Sequence, residues 1–121
     1  MAIQRILIVD DSPTERYYLT DILVRSGFTV STAENGEEAM AKIKADKPQL
    51  ILMDVVMPGA NGFQVTRAIA KDPELQDVPI IICSSKNQET DRIWGIRQGA
   101  KDYLVKPVDA AELLAKIAAL G

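Results

Sequence analysis

The chain has 121 residues, 47% hydrophobic and 26% charged, with a formal net charge of −3, the profile of one soluble globular domain with a single core. Neither a basic cluster nor an apolar run of about 18 residues is present, so neither nucleic-acid binding nor a membrane span is expected. Histidine is absent and cysteine occurs once, at Cys83, which excludes histidine-based triads, histidine-liganded zinc, self-contained phosphohistidine chemistry and an internal disulfide.

Arg5–Val9 reads as a first strand. Ser12-Pro13-Thr14-Glu15 follows as a capping box with proline at the first helical position, and Gly27 closes that helix. Phe28–Ala33 is a second, more polar strand suited to a sheet edge. Asn35 caps a helix that carries Ala39, Met40 and Ile43 on one face and ends before Pro48. Gln49–Met53 is a continuous apolar run, as expected of a strand covered on both faces. Met57-Pro58-Gly59 breaks it, and Asn61-Gly62 opens a helix with Phe63, Val65 and Ile69 inward. Val78–Cys83 is the fourth strand. A helix is expected between Gln88 and Gln98, although Gly95 within it costs about 1 kcal/mol relative to alanine. Asp102–Val105 is the fifth strand. Asp109 caps the last helix, with Glu112 at its third position and Leu113, Leu114 and Ile117 facing inward. Alternation of this kind implies an α/β, doubly wound parallel sheet with right-handed crossovers and helices on both faces. The expected organisation is one domain over residues 1–121 with no output domain.

In such folds ligands bind beyond the carboxyl ends of the strands. Asp10 and Asp11 in ILIVDDSP, Asp54 in LILMDVVMPG, Ser84, and Lys106 in YLVKPV all fall at predicted strand ends. Carboxylates gathered at one point need a cation: two of them ~4 Å apart repel by about 4 kcal/mol at an effective dielectric of 20. A lysine aimed at the same point implies a second anion that comes and goes. Mg²⁺, a hard ion that prefers oxygen ligands and keeps several waters, suits the acids. The layout is that of a magnesium-dependent phosphoryl acceptor. Taken singly, Asp10 reads as a solvated turn residue, Asp11 as a polar residue before a cap, Asp54 and Ser84 as strand ends and Lys106 as a surface lysine; the set reads differently. Cys83 is a small buried apolar residue, and Trp94 is either a partner anchor or packing beneath the fourth helix. Gly62 and Gly99 serve backbone geometry.

The ordered motifs IVDDS, MDVVMPGANG, CSS and LVKP resemble the receiver domain of two-component response regulators, including the chemotaxis regulator, over nearly the whole chain. The resemblance implies a flavodoxin-like fold with sheet order 2-1-3-4-5. It further implies Asp54 as phosphoacceptor, Asp10 and Asp11 as the acid pair for Mg²⁺, Ser84 as switch hydroxyl, Lys106 as the phosphate-pairing lysine, Tyr103 as an aromatic that rotates inward from an exposed position, and a cis Lys106–Pro107 bond. Val56 would offer the ion only its backbone carbonyl, and Asp10 would act through water. The segment SSKNQETDRIWGIRQGAKDYLVKPVD is similar to single-domain regulators of the chemosensory system controlling type IV pili and twitching motility.

These readings imply a cytoplasmic switch, consistent with a start, MAIQRILIVD, that lacks a signal-peptide pattern. Its phosphodonor would be a histidine kinase and its effect would come from binding a downstream protein, as a monomer or weak dimer, or from draining phosphoryl groups. It would not be an enzyme beyond self-catalysed transfer and hydrolysis. A magnesium-dependent phosphatase acting through an aspartyl-phosphate is the alternative, but Val56 stands where such enzymes carry a second acid. A flavodoxin-like cofactor binder is disfavoured by the acidic DDSPTE after the first strand.

Overall fold

The apolar runs and amphipathic stretches alternate in space as they do in sequence. The computed structural model describes residues 2–121. Strands β1 (Arg5–Val9), β2 (Thr29–Ala33), β3 (Leu50–Met53), β4 (Ile80–Ser84) and β5 (Asp102–Val105) alternate with helices α1 (Pro13–Arg25), α2 (Gly36–Ala45), α3 (Gly62–Lys71), α4 (Glu89–Gln98) and α5 (Ala110–Leu120). The sheet is parallel throughout, in the order β2-β1-β3-β4-β5. This is the flavodoxin-like α/β arrangement expected from the sequence.

Successive strand residues point to opposite faces, which divides the core in two. Leu7, Val9, Ile51, Met53, Ile80 and Ile82 pack with Ala39 and Ile43 of α2 and Val65 and Ile69 of α3. On the other face Ile6, Ile8, Leu50, Leu52, Ile81 and Cys83 meet Leu19 and Leu23 of α1 and Leu113 and Ile117 of α5. All of β3 and β4 is buried, because helices cover both of their faces.

The boundaries of three strands differ from the sequence expectation, and each of the later starts has a local reason. Phe28 belongs to the helix end: its N–H donates to Leu23 O at 3.0 Å, after Gly27 turns the chain at φ +94°. Gln49 precedes β3 and spends its side-chain oxygen on the N–H groups of Gln4 and Arg5. Val78 closes a turn onto Leu75 O at 3.0 Å, so β4 starts later and ends at Ser84 rather than Cys83.

Gly95 lies inside α4 for a packing reason. A Cβ there would stand 2.8 Å from Ile82 Cδ1 and 3.2 Å from the Tyr103 ring, so glycine lets the helix sit this close to the sheet without displacing those side chains. Its neighbour Trp94 is 50% exposed, which rules out packing beneath the helix. Gly99 ends α4 in the left-handed conformation at φ +118°.

Candidate functional site

Strand register assembles the site. Val9 is aligned with Met53, so the next residues, Asp10 and Asp54, emerge side by side. Ser84 is aligned with Val105, which puts Lys106 at the same edge. The ladder runs one step past each strand: Asp10 N–H donates to Ala33 O at 3.0 Å, Asp54 N–H to Val9 O at 2.9 Å and Lys106 N–H to Ser84 O at 2.8 Å. Carboxylate oxygens of Asp10, Asp11 and Asp54 all lie within 4.8 Å of one another.

Burial separates the three acids. Asp10 is 1% exposed and Asp54 6%, whereas Asp11 is exposed. Lys106 Nζ bridges the two buried ones, 2.8 Å from Asp10 Oδ2 and 3.1 Å from Asp54 Oδ1. Asp10 Oδ1 accepts from Ser12 N–H at 2.9 Å. Both Asp10 oxygens are thus engaged by protein donors, whereas Asp54 is paired with Lys106 through Oδ1 and Asp11 is exposed. The donor set is all carboxylate, with no nitrogen or sulfur, and fits a hard divalent ion. Val56 lies two residues beyond Asp54 with its side chain exposed, so any part it takes is through its backbone.

The hydrogen bond from Ser12 to Asp10 also corrects the first helix cap. Ser12 Oγ accepts from Glu15 N–H at 3.2 Å as expected, but the reciprocal bond of a capping box is not made, because Ser12 N–H is already committed. Sequence reasoning passed over Arg16, whose guanidinium donates to the Asp10 carbonyl at 2.8 Å and to Glu34 Oε1 at 3.1 Å. Only its four-residue spacing from Ser12, on a helix that starts beside the acids, could have drawn attention to it.

Ser84 is fully buried and its Oγ accepts from Lys86 N–H at 3.1 Å. Tyr103 is 6% exposed, and its hydroxyl donates to Lys86 O at 2.8 Å. The expected exposed resting position of Tyr103 is therefore corrected: the ring already lies inward, in the space left by Gly95. The Lys106–Pro107 bond is cis.

The sequence profile of the response regulator receiver domain matches residues 6–118. The chain belongs to this family. The receiver domain is 56% identical to Protein PilH of Pseudomonas aeruginosa, with 96% of each chain covered. It is 39% identical to the response regulator PleD of Caulobacter vibrioides, covering 96% of this chain but only 26% of PleD. Among solved structures, the chemotaxis protein CheY4 of Vibrio cholerae superposes with a TM-score of 0.91 at 30% identity, covering 99% of this chain and 100% of that one.

Charge states in the receiver domain follow from this packing. Burial, and then repulsion from Asp10, raises the Asp54 pKa against the pull of Lys106. Burial alone would lower Lys106, but the Asp10 and Asp54 carboxylates outweigh it and hold the ammonium above its ordinary range. Burial pushes the Cys83 thiol up to about 12, so it is inert.

A raised folded-state pKa at Asp54 means that its stabilising contribution is present below the unfolded value of about 3.9 and is lost as pH rises through the folded value. In EDTA, Asp54→Asn should therefore gain stability relative to wild type as pH rises from about 4 through the folded-state value of Asp54. Urea midpoints of the two proteins across that range check this, and a gap that stays constant or narrows would contradict it.

Proposed function

We propose that this chain is a stand-alone response regulator that accepts a phosphoryl group onto Asp54 from a partner kinase's phosphohistidine. The observation that carries this reading is the Asp54 carboxylate, buried at a strand end, paired with Lys106 at 3.1 Å and grouped with Asp10 and Asp11. A stand-alone role is supported by the 96% mutual coverage with PilH.

In the reaction an Asp54 carboxylate oxygen attacks phosphorus in line, the Asp54 O–P bond forms and the bond from phosphorus to the donor nitrogen breaks. Asp11 and Asp54 would hold Mg²⁺ directly, with the Val56 carbonyl as a further ligand and Asp10 acting through water. When bound, the ion supplies positive charge against phosphoryl oxygens and carboxylates. The Lys106 ammonium, held against Asp54 before reaction, is positioned to pair with the incoming phosphoryl group. Water attacking in the same geometry hydrolyses the acyl phosphate, so turnover is limited to transfer and autodephosphorylation. Val56 cannot donate a proton, which disfavours a true phosphatase.

The switch proceeds from the inward Tyr103. A phosphoryl dianion on Asp54 attracts the Ser84 hydroxyl away from Lys86 N–H, and this loosens the loop whose Lys86 carbonyl holds Tyr103. The readout surface is the α4-β5-α5 face, where Ile93, Trp94, Ile96 and Val105 are exposed and could meet a downstream protein. The similarity to PilH supports an output in type IV pilus twitching motility. No described helix is long and apolar enough to cross a membrane, and a cytoplasmic site of action fits the kinase partner. Nothing in the charge pattern favours nucleic acid.

The test is the intact mass of wild type and Asp54→Asn after acetyl phosphate and Mg²⁺, with an EDTA control. One phosphoryl group on wild type alone, lost in EDTA, is expected. Equal labelling of Asp54→Asn would overturn the site. No adduct on wild type, together with no binding of beryllofluoride, would overturn the function.

A further inference from the structure

Lys106 works only if its ammonium is aimed, and a four-carbon stem has many rotamers. The loop that carries it, Lys106-Pro107-Val108, has few backbone ties. Lys106 N–H is held by Ser84 O, and Pro107 has no N–H to give. Helix α5 starts its own bonds later, with Leu113 N–H on Asp109 O and Glu112 N–H on Asp109 Oδ2. Val108 is 1% exposed, and a buried carbonyl there needs a donor. The donor comes from 90 positions away: Tyr18 Oη–H on Val108 O at 2.5 Å.

We propose that Tyr18 is a positioning residue for Lys106, its phenol fixing the far side of the lysine loop to α1. The same helix fixes the acid side, since it begins at the Ser12 cap beside Asp10 and places Arg16 on the Asp10 carbonyl. Helix α1 therefore spans both halves of the charge cluster and sets the distance between them. The Tyr18 side chain lies at the surface, 41% exposed, and its hydroxyl reaches the loop. Tyr18→Phe thus deletes the tie and leaves the packing.

The inference rests on the acceptor reading of Asp54, and the experiment separates the two. Tyr18→Phe should lower the rate of phosphorylation by acetyl phosphate about three- to ten-fold, the loss of roughly one hydrogen bond. Mg²⁺ affinity should stay unchanged, because Tyr18 touches none of the acids. In a Lys106→Met background the same substitution should cost nothing further. Independently of phosphorylation, the NMR signal of the Lys106 ammonium, sheltered by its two carboxylates, should broaden in Tyr18→Phe. A wild-type rate with an unchanged ammonium signal would overturn the proposal, as would an equal loss in the Lys106→Met background. If wild type takes no phosphoryl group, the acceptor reading fails, and the ammonium signal alone decides whether Tyr18 positions the lysine.

Discussion

Gly62→Ala is expected to lower stability by about 3 kcal/mol or more and to impair phosphoryl acceptance together with it. The residue opens α3, yet its φ is not in the left-handed region, so the requirement is for space. A Cβ at Gly62 would fall 1.9 Å from the Asp54 carbonyl oxygen and 2.9 Å from Val55 Cα. Neither is a side chain that can swing away. Gly62 N–H also donates to Val55 O at 2.8 Å, so the helix start is fastened to the segment it would have to leave. Relief requires moving either α3 or the end of β3, and the latter carries Asp54. Urea denaturation gives the stability, and intact mass after acetyl phosphate gives the acceptance. A midpoint equal to wild type would show that the loop yields at no cost.

Lys106→Met should have a comparable effect by an electrostatic route. The substitution keeps most of the stem and deletes the ammonium that faces Asp10 and Asp54, which are 1% and 6% exposed. Removing one partner of a buried ion pair costs about 3–5 kcal/mol, because the remaining charges have lost their solvation. A bound divalent cation would replace part of the missing charge, so Mg²⁺ should stabilise this variant more than it stabilises wild type. Because the folded-state pKa of Lys106 is raised, its contribution is complete below about pH 10.4 and is lost as pH rises through the folded value. The two proteins should then converge in strongly alkaline solution. Denaturation in EDTA and in Mg²⁺, at neutral and alkaline pH, measures each part; equal Mg²⁺ responses would contradict the compensating role of the lysine.

The fold was legible because local signals agree with one another. Asn35, Asn61 and Asp109 cap helices where they stand, and the apolar runs of β3 and β4 have no polar face to present. The site was legible for a related reason. Charges placed directly after apolar runs must emerge at strand ends, and a parallel sheet puts those ends on one edge. What could not be read depends on contacts between distant residues. Ser12 N–H had two acceptors within reach of the chain, Glu15 and Asp10, and only the folded turn decides between them. The inward Tyr103 depends on a cavity made by Gly95 from another helix, which a sequence reading sees only as a weak point in α4. Arg16 and Tyr18 look like ordinary residues of an amphipathic helix until the ends of β2 and β5 arrive beside them.

The register of Val9 against Met53 has a consequence for quality control in the cell. Lys106 lies 96 positions from one of its carboxylate partners and 52 from the other, so no short segment contains both the lysine and the carboxylates it faces. A nascent chain lacking β5, a proteolytic fragment, or a copy slipped by one residue in strand pairing would present aspartates without the geometry to take a phosphoryl group. On the proposed acceptor role of Asp54, competence to take a phosphoryl group would therefore require the complete sheet, and defective copies would stay silent.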